Sequence, residues 1–472
     1  MTTRWTSGQR WVVGLTAVAA AMVGLDALVV STALSTIRVD IGASVEELEW
    51  TVNAYTLTFA LLMMTASALG DRFGRRRLFA IGVGVFAAGS AACALAPDAG
   101  WLVAARAVQG VGAAAVIPLT LALLTAAISP PQRPRALGIY AAVMGASVPL
   151  GPLLGGAVVQ GISWPWIFWL NVPLALALIP LALLRIDESR GPATALDVPG
   201  LVLVTGAVLG LVWGLVRGNS AGWTSREVLL SLTLGGFLVL AFVVREARAR
   251  EPMLPMRLFR NRSFSAGNAA MFFLWGSALG AMFFMAQFLQ TGLGFGPLDA
   301  GVRLVPWGAI VMLVPRVVAA QIPRLGERPF IAAGMVLHAA GMTWIALIAE
   351  PTTAYWEMVA PLLISGLGVA MASPAIQSAV LSTAASQDVG KSSGAFSTLR
   401  QLGGAFGVAV LVAVFAGAGS YASAPAFVDG VGPALYASAG LALAAAVAGL
   451  TLPGRRWAPA VEPAPAAAES SV

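Results

Sequence analysis

The strongest constraint on this chain is the recurrence of apolar stretches about as long as a bilayer is thick. They lie at 11–34, 48–69, 78–96, 100–128, 137–160, 166–184, 198–216, 228–244, 264–290, 301–322, 330–349, 356–381, 394–417 and 432–452. A helix crosses the hydrocarbon with about 20 such residues. The runs are continuously apolar and lack the alternation of a membrane β-barrel. Of the 472 residues, 58% are hydrophobic and 10% charged, against about 25% charged in a soluble domain. The pattern predicts an all-α integral membrane protein of fourteen transmembrane helices. Arg4 and Arg10 precede the first run as in a signal peptide. That run is too long for a signal core and more follow it, so a retained first helix is expected.

The net charge is +7, and Lys391 is the only lysine. The arginines sit in short gaps between apolar runs, which points to membrane topology and not to nucleic acid. With the N-terminus placed in the cytoplasm, 21 Arg/Lys fall in cytoplasmic segments and only Arg38, Arg217 and Arg226 in outer loops. The positive-inside rule then predicts a multi-pass plasma-membrane protein with both termini cytoplasmic. The outer loop carrying Asp40, Glu46, Glu47 and Glu49 is acidic. One cysteine, Cys93, and one histidine, His338, exclude an intrachain disulfide and most multi-ligand metal sites. No metal, no cofactor and no nucleic-acid partner is expected.

An internal repeat organises the runs. Gln109-Gly110-Val111-Gly112 leads to Pro118, and Ser365-Gly366-Leu367-Gly368 leads to Pro374. Both pairs are offset by 374 − 118 = 256 residues. The same offset carries Gly138 to Gly394, Tyr140 to Phe396 and Gly151 to Gly407. A weaker echo links Arg72-Phe73-Gly74-Arg75-Arg76 to Arg324-Leu325-Gly326-Glu327-Arg328. The simplest organisation is a six-helix bundle over 1–190, two extra central spans and a cytoplasmic linker over 191–262, a second six-helix bundle over 263–458, and a disordered Ala/Pro-rich tail over 459–472.

This plan resembles the fourteen-span drug:proton antiporters of the major facilitator superfamily, and four stretches carry the resemblance. Gly70-Asp71-Arg72-Phe73-Gly74-Arg75-Arg76-Arg77 is similar to the superfamily's cytoplasmic signature. The resemblance implies that Asp71 and Arg75 help latch the two halves, beside Gly70, Arg72, Gly74 and Arg76. Arg106-Ala107-Val108-Gln109-Gly110-Val111-Gly112 lies in span 4. An arginine at such depth costs about 2.5 kcal/mol or more and needs a cavity or a partner; the resemblance gives Arg106 a part in proton transfer. In span 5, Gly145 with Pro149, Gly151, Pro152, Gly155 and Gly156 resembles the antiporter motif of exporters. Last, Leu25-Asp26 in span 1 and Trp50-Thr51-Val52-Asn53-Ala54-Tyr55 at the start of span 2 look like fourteen-span exporter segments. The chain departs from the family in having Ser35 after Ala33-Leu34, Trp164-Pro165-Trp166 before span 6, and Pro323 where Asp71 would repeat.

The implied mechanism is alternating access around a midplane cavity walled by spans 1, 2, 4 and 5 and their counterparts. Asp26 is expected to exchange a proton for substrate, with the proton gradient as energy source. Asn53, Tyr55, Gln287, Gln290 and Arg400 are candidate cavity contacts, beside apolar Trp, Phe and Met. Asp26 is the one carboxylate placed well inside a span, against Arg106, Arg316 and Arg400. That balance favours a neutral or anionic lipophilic substrate over a dicationic one. His338 reads as a packed neutral side chain. A monomer is expected, in contact with lipid, protons and a lipophilic small molecule. Two rival functions stay open: a proton-coupled nutrient importer, and a membrane-embedded enzyme. The second lacks a carboxylate pair within the spans and a P-loop.

Overall fold

The computed structural model describes residues 5–129, 132–191, 197–249, 252, 254–382 and 389–453. It contains 14 helices long and apolar enough to cross a membrane. They are α1 (Ser7–Asp40), α2 (Val45–Phe73), α3 (Arg75–Ala94), α4 (Ala99–Ala127), α5 (Arg135–Gly161), α6 (Trp166–Arg185), α7 (Val198–Gly218), α8 (Arg226–Arg248), α9 (Arg262–Gly292), α10 (Pro297–Leu325), α11 (Arg328–Ile348), α12 (Tyr355–Leu381), α13 (Ser392–Ala418) and α14 (Ala424–Leu450). There is no strand among the described residues. The expected tail, 459–472, lies outside them.

Helix starts follow local capping chemistry. Thr6 and Ser44 each close a capping box, with Gln9 and Glu47 as the reciprocal partners. Such boxes satisfy backbone N–H groups that the first turn leaves free. The Ser44 box starts α2 before its apolar run begins, and this corrects one expectation. Glu49 is not a loop residue: it lies within α2 and is 0% exposed. The echo between 72–76 and 324–328 marks a real structural repeat. Gly74 ends α2 at φ 114° and Gly326 ends α10 at φ 80°, a left-handed region that residues with a Cβ adopt only at a cost.

The helices form two six-helix bundles, α1–α6 and α9–α14. In each, the first helix packs on the fifth and sixth, and the fourth packs on the second and third. The bundles meet along two seams, α5 against α10 and α2 against α13, which the repeat makes equivalent. The extra pair α7–α8 packs on itself and leans on α2 and α13 through α7. Its outer face is apolar, with Leu234 58%, Phe237 65% and Leu240 61% exposed, as a lipid-facing surface requires.

The proline and glycine pattern of α5 builds one seam. A Cβ on Gly156 would stand 2.7 Å from Leu298 Cα, and one on Gly308 would stand 2.7 Å from Pro149 Cα. Gly151 and Gly155 instead face α1, at Leu28, Val29 and Thr32. Small residues on two faces therefore let α5 approach a neighbour in its own bundle and one in the other. Further contacts close the end away from the termini. The Leu298 N–H donates to Gln160 Oε1 at 3.1 Å, and Gln290 Nε2 donates to the Thr32 carbonyl at 2.9 Å.

Candidate coupling site and central cavity

Asp26 is the hub of a buried polar cluster inside the first bundle. Arg106 Nη1 donates to Asp26 Oδ2 at 2.6 Å, and both side chains are 1% exposed. Asp26 Oδ1 accepts from Gln109 Nε2 at 2.7 Å and from Asn171 Nδ2 at 3.0 Å. Arg106 Nη1 also reaches Gln109 Oε1 at 2.6 Å, and its Nε donates to the Thr51 carbonyl at 3.1 Å. Ser90 Oγ accepts from Gln109 at 2.8 Å and from Asn171 at 3.3 Å. The guanidinium lies 4.1 Å over the Tyr55 ring. Helices α1, α3, α4 and α6 thus each contribute one or more groups. A buried ion pair tolerates its desolvation only when the remaining polar atoms are satisfied, and here five side chains share that task. Residues 26 and 106 were singled out separately in the sequence. Their pairing, and the parts of Ser90, Gln109 and Asn171, emerge only from the packing.

The second bundle carries a neutral counterpart. His338 on α11 is 0% exposed. Its Nδ1 meets Ser365 Oγ at 2.8 Å and its Nε2 meets Ser277 Oγ at 3.0 Å. Ser277 and Ser438 hydroxyls lie 2.8 Å apart. Both ring nitrogens are therefore engaged, as in a packed histidine.

A cavity of about 210 Å³ lies between the bundles. Its walls come from α1 and α5 on one side and α9, α10 and α12 on the other. This corrects the expected set, because α2 and α4 do not reach it. Trp275, Met282 and Trp307 supply broad apolar contact, while Ser373 and Gln377 add polarity. Among the described residues, no charged side chain lines it. Of the candidate contacts, Asn53, Tyr55, Gln287 and Gln290 are absent from the walls. Asn53 Nδ2 instead donates to Glu49 Oε1 at 3.3 Å, the Tyr55 hydroxyl to the Val23 carbonyl at 3.4 Å, and Gln287 Nε2 to the Phe283 carbonyl at 3.0 Å. Arg400 stands behind the wall, 5.0 Å from the Trp275 ring. The Trp275 Nε1–H and Arg400 Nε are buried without a hydrogen-bond partner.

At the end of α2, Arg75 Nε donates to Asp71 Oδ1 at 2.7 Å. Glu188, unnoticed in the sequence, caps α3: its carboxylate accepts from the Arg76 N–H at 2.9 Å and the Arg77 N–H at 3.3 Å. Arg76 Nη1 donates to the carbonyls of Leu183 and Ile186, each at 3.1 Å. The Arg75 N–H donates to the Ser189 carbonyl at 2.9 Å, and the Gly191 N–H to the Asp71 carbonyl at 3.1 Å. The arginine cluster thus ties the segment after α6 to the α2–α3 turn. The second-bundle residues 383–388 that precede α13 lie outside the described set.

The Major Facilitator Superfamily profile matches residues 16–408. This chain belongs to the major facilitator superfamily. The tetracenomycin C resistance and export protein of Streptomyces glaucescens is 34% identical over 84% of this chain and 74% of its own length. A cephamycin export protein of Amycolatopsis lactamdurans is 35% identical over 92% of this chain and 90% of its own. A puromycin resistance protein of Streptomyces alboniger is 34% identical over 87% and 82%. Two solved structures share the fold at low identity. A POT family transporter in complex with a thioalcohol conjugated peptide superposes with TM-score 0.70, at 13% identity, over 92% of this chain and 94% of its own. An inward-facing bacterial homologue of the lysosomal transporter Spinster gives 0.68, at 15%, over 95% and 98%. Membership of this superfamily makes the chain a multi-pass membrane transporter and not an enzyme. The central cavity lies between its two bundles, where alternating access needs a binding site.

Proposed function

We propose that this protein exports a lipophilic antibiotic or drug from the cytoplasm in exchange for protons, by rocking its two bundles about the central cavity. The observation that carries the direction of transport is the set of relatives named for antibiotic resistance and export, each matching more than four fifths of this chain. The arginine asymmetry supports cytoplasmic termini in the plasma membrane. On that orientation, the contacts of Gln160 and Gln290 close the outer end.

The cavity chemistry supports a neutral or anionic compound. Its described walls are largely aliphatic with two tryptophans and one methionine, and they carry no carboxylate to hold a cation. The unpartnered Trp275 indole N–H and the Arg400 guanidinium behind it suit an acceptor oxygen on the substrate. Asp26 is the coupling carboxylate in this reading. A proton on it cancels the charge that Arg106 faces, so the cluster must rearrange, and α1 and α5 carry the change to the cavity wall. Asp71 and Arg75 act in the cytoplasmic latch.

The test is expression in an efflux-deficient host challenged with tetracenomycin-, cephamycin- and puromycin-type compounds. Tolerance should rise and cell content fall for at least one, and dissipating the pH gradient should abolish both changes. Unchanged content for every compound, or uptake driven by the gradient, would sink the proposal. A reporter fused at Ser420 should signal the outside; an inside signal would reverse the assigned orientation.

A further inference from the structure

A second carboxylate sits at the bundle interface, at the end away from the termini. Glu49 on α2 is 0% exposed, as is Asn53 one turn later. Glu49 Oε1 accepts from Asn53 Nδ2, but Glu49 Oε2 and Asn53 Oδ1 meet no donor. Glu49 forms no ion pair among the described residues. The neighbouring Leu48 belongs to the same apolar core as Phe284, Phe415 and Phe427 of the second bundle. Above this core, Arg38 from the end of α1 stacks 4.5 Å over the ring of Tyr421, and its Nε has no acceptor. The Tyr421 hydroxyl donates to Gln287 of α9. Arg38 is therefore held by an aromatic face of the other bundle, and no ion pair joins it to Glu49 among the described residues.

We infer that Glu49 is a second proton site, whose occupancy decides whether the outer end closes; this extends the proton-exchange reading and rests on its orientation. An ionised carboxylate with an unpartnered oxygen in such a core is strongly disfavoured. A proton from outer water, forming an O–H on Oε2, removes the charge and lets Tyr421, Gln287 and the aromatic core settle over α2. When the second bundle swings away, Oε2 meets water and releases its proton, and Arg38 is freed from Tyr421 to face the carboxylate. Other ionisable groups surround the site. From α1 comes Arg38, and from the α13–α14 loop Tyr421. Arg106 of α4 holds the Thr51 carbonyl two residues along. On α2 itself, Glu46 accepts from Arg217 of α7 at 3.4 Å; α9 contributes the uncharged Gln287. After releasing substrate, the transporter would then close its outer side only with a proton aboard. Because Glu49 takes its proton from outer water and returns it there, the site gates closure of the outer end, while net proton movement stays with Asp26.

The test reads conformation and not transport. Spin labels at Val39→Cys and Ala422→Cys, in a Cys93→Ala background, report the distance across the outer end of purified protein without substrate. Raising the pH from about 5.5 to about 8 should shift the wild type from the short to the long distance. In Glu49→Gln, which mimics the protonated carboxyl, the long-distance population at the higher pH should fall about tenfold. A wild type without a pH response, or Glu49→Gln responding like it, overturns the inference. Should Glu49→Gln fail to assemble, Glu49→Asp is expected to respond with a displaced midpoint, and an unchanged midpoint overturns the inference equally. Gradient-driven efflux in proteoliposomes is measured alongside. Its absence in a wild type that still opens with pH would sink proton exchange and leave this site standing.

Discussion

The two bundles place polar clusters at corresponding positions and fill them with different chemistry. In the first, Asp26, Ser90, Arg106, Gln109 and Asn171 come from α1, α3, α4 and α6. In the second, Ser277, His338, Ser365 and Ser438 come from α9, α11, α12 and α14, the repeat counterparts of those helices. Gln109 and Ser365 are themselves related by the 256-residue offset. The backbone framework is thus shared while the charge is not. In the first cluster, gaining a proton cancels one side of an ion pair. In the second, shifting hydrogen bonds among hydroxyls and an imidazole changes no net charge. The cavity leans the other way, since three of its five wall helices belong to the second bundle. In the proposed mechanism, the first half responds to protons and the second contributes most of the wall that meets substrate.

Removing the charge from the first cluster is the strongest way to break this comparison. Asp26→Asn keeps the shape but leaves Arg106 buried without its counter-ion, a change that costs about 3–5 kcal/mol. Gradient-driven transport and substrate-induced proton release should both be lost. The double variant Asp26→Asn/Arg106→Gln should recover thermal stability without recovering coupling. Wild-type proton release and gradient-driven transport by Asp26→Asn in proteoliposomes would take coupling away from this cluster.

The helix contacts inside each bundle offer a second contrast, between equivalent glycines. A Cβ on Gly407 would run into the backbone of Gly276, which cannot rotate away. One on Gly151 would meet the Leu28 Cβ at 2.6 Å but stand 3.6 Å from the Leu28 carbonyl carbon, so the facing backbone is less crowded there. Gly407→Ala should therefore lower the unfolding temperature and the efflux rate more than Gly151→Ala does, with a difference of about 1–3 kcal/mol, the usual range for overpacking. An equal loss in the two variants would show that α1 is as rigid against α5 as α9 is against α13.

These contrasts mark what was legible in the sequence. Fourteen spans, the doubled bundle and the glycine positions are one-dimensional signals: apolar run length, a repeated offset and turn chemistry. Gly74 and Gly326 could be matched because a helix end demands the same left-handed residue in both copies. The Asp26–Arg106 contact joins residues 80 positions apart, and Glu188 caps a helix 112 positions away. Such contacts depend on how each helix is rotated about its axis, which apolar runs do not encode. Glu49 was misplaced for a local reason: it stands at the edge of the apolar run, next to Glu46 and Glu47 of the first helical turn, so a buried acid looked like part of an acidic loop. The candidate contacts Asn53, Tyr55 and Gln287 instead bond protein groups in this conformation, as polar side chains in spans also do with neighbouring helices.

A smaller effect is expected where the first bundle carries its surface charges. The Asp71–Arg75 pair has side-chain exposures of 22% and 19%, so Asp71→Asn should change stability by no more than about 1 kcal/mol. Efflux should nonetheless fall, because the proposed latch depends on that carboxylate in only one conformation. Equal protein levels with unchanged efflux would leave the motif as a topology anchor that Glu188 fastens to α3.

The gentlest perturbation addresses the neutral cluster. His338→Gln retains a donor and an acceptor but cannot span Ser277 and Ser365 as the ring does. One of the two hydrogen bonds should be lost, at about 1–3 kcal/mol for the buried hydroxyl left unpaired. Trp307 gives the substitution a second readout. Its indole N–H donates to Ser365 Oγ at 3.3 Å while its ring lines the cavity. Releasing Ser365 from the imidazole should therefore loosen the tryptophan and raise KM for efflux a few fold. The number of protons exchanged per substrate should stay the same, because no charge in this cluster depends on the imidazole. A changed stoichiometry would make the second bundle a partner in coupling, and the asymmetry between the halves would then lie only in which groups carry the proton.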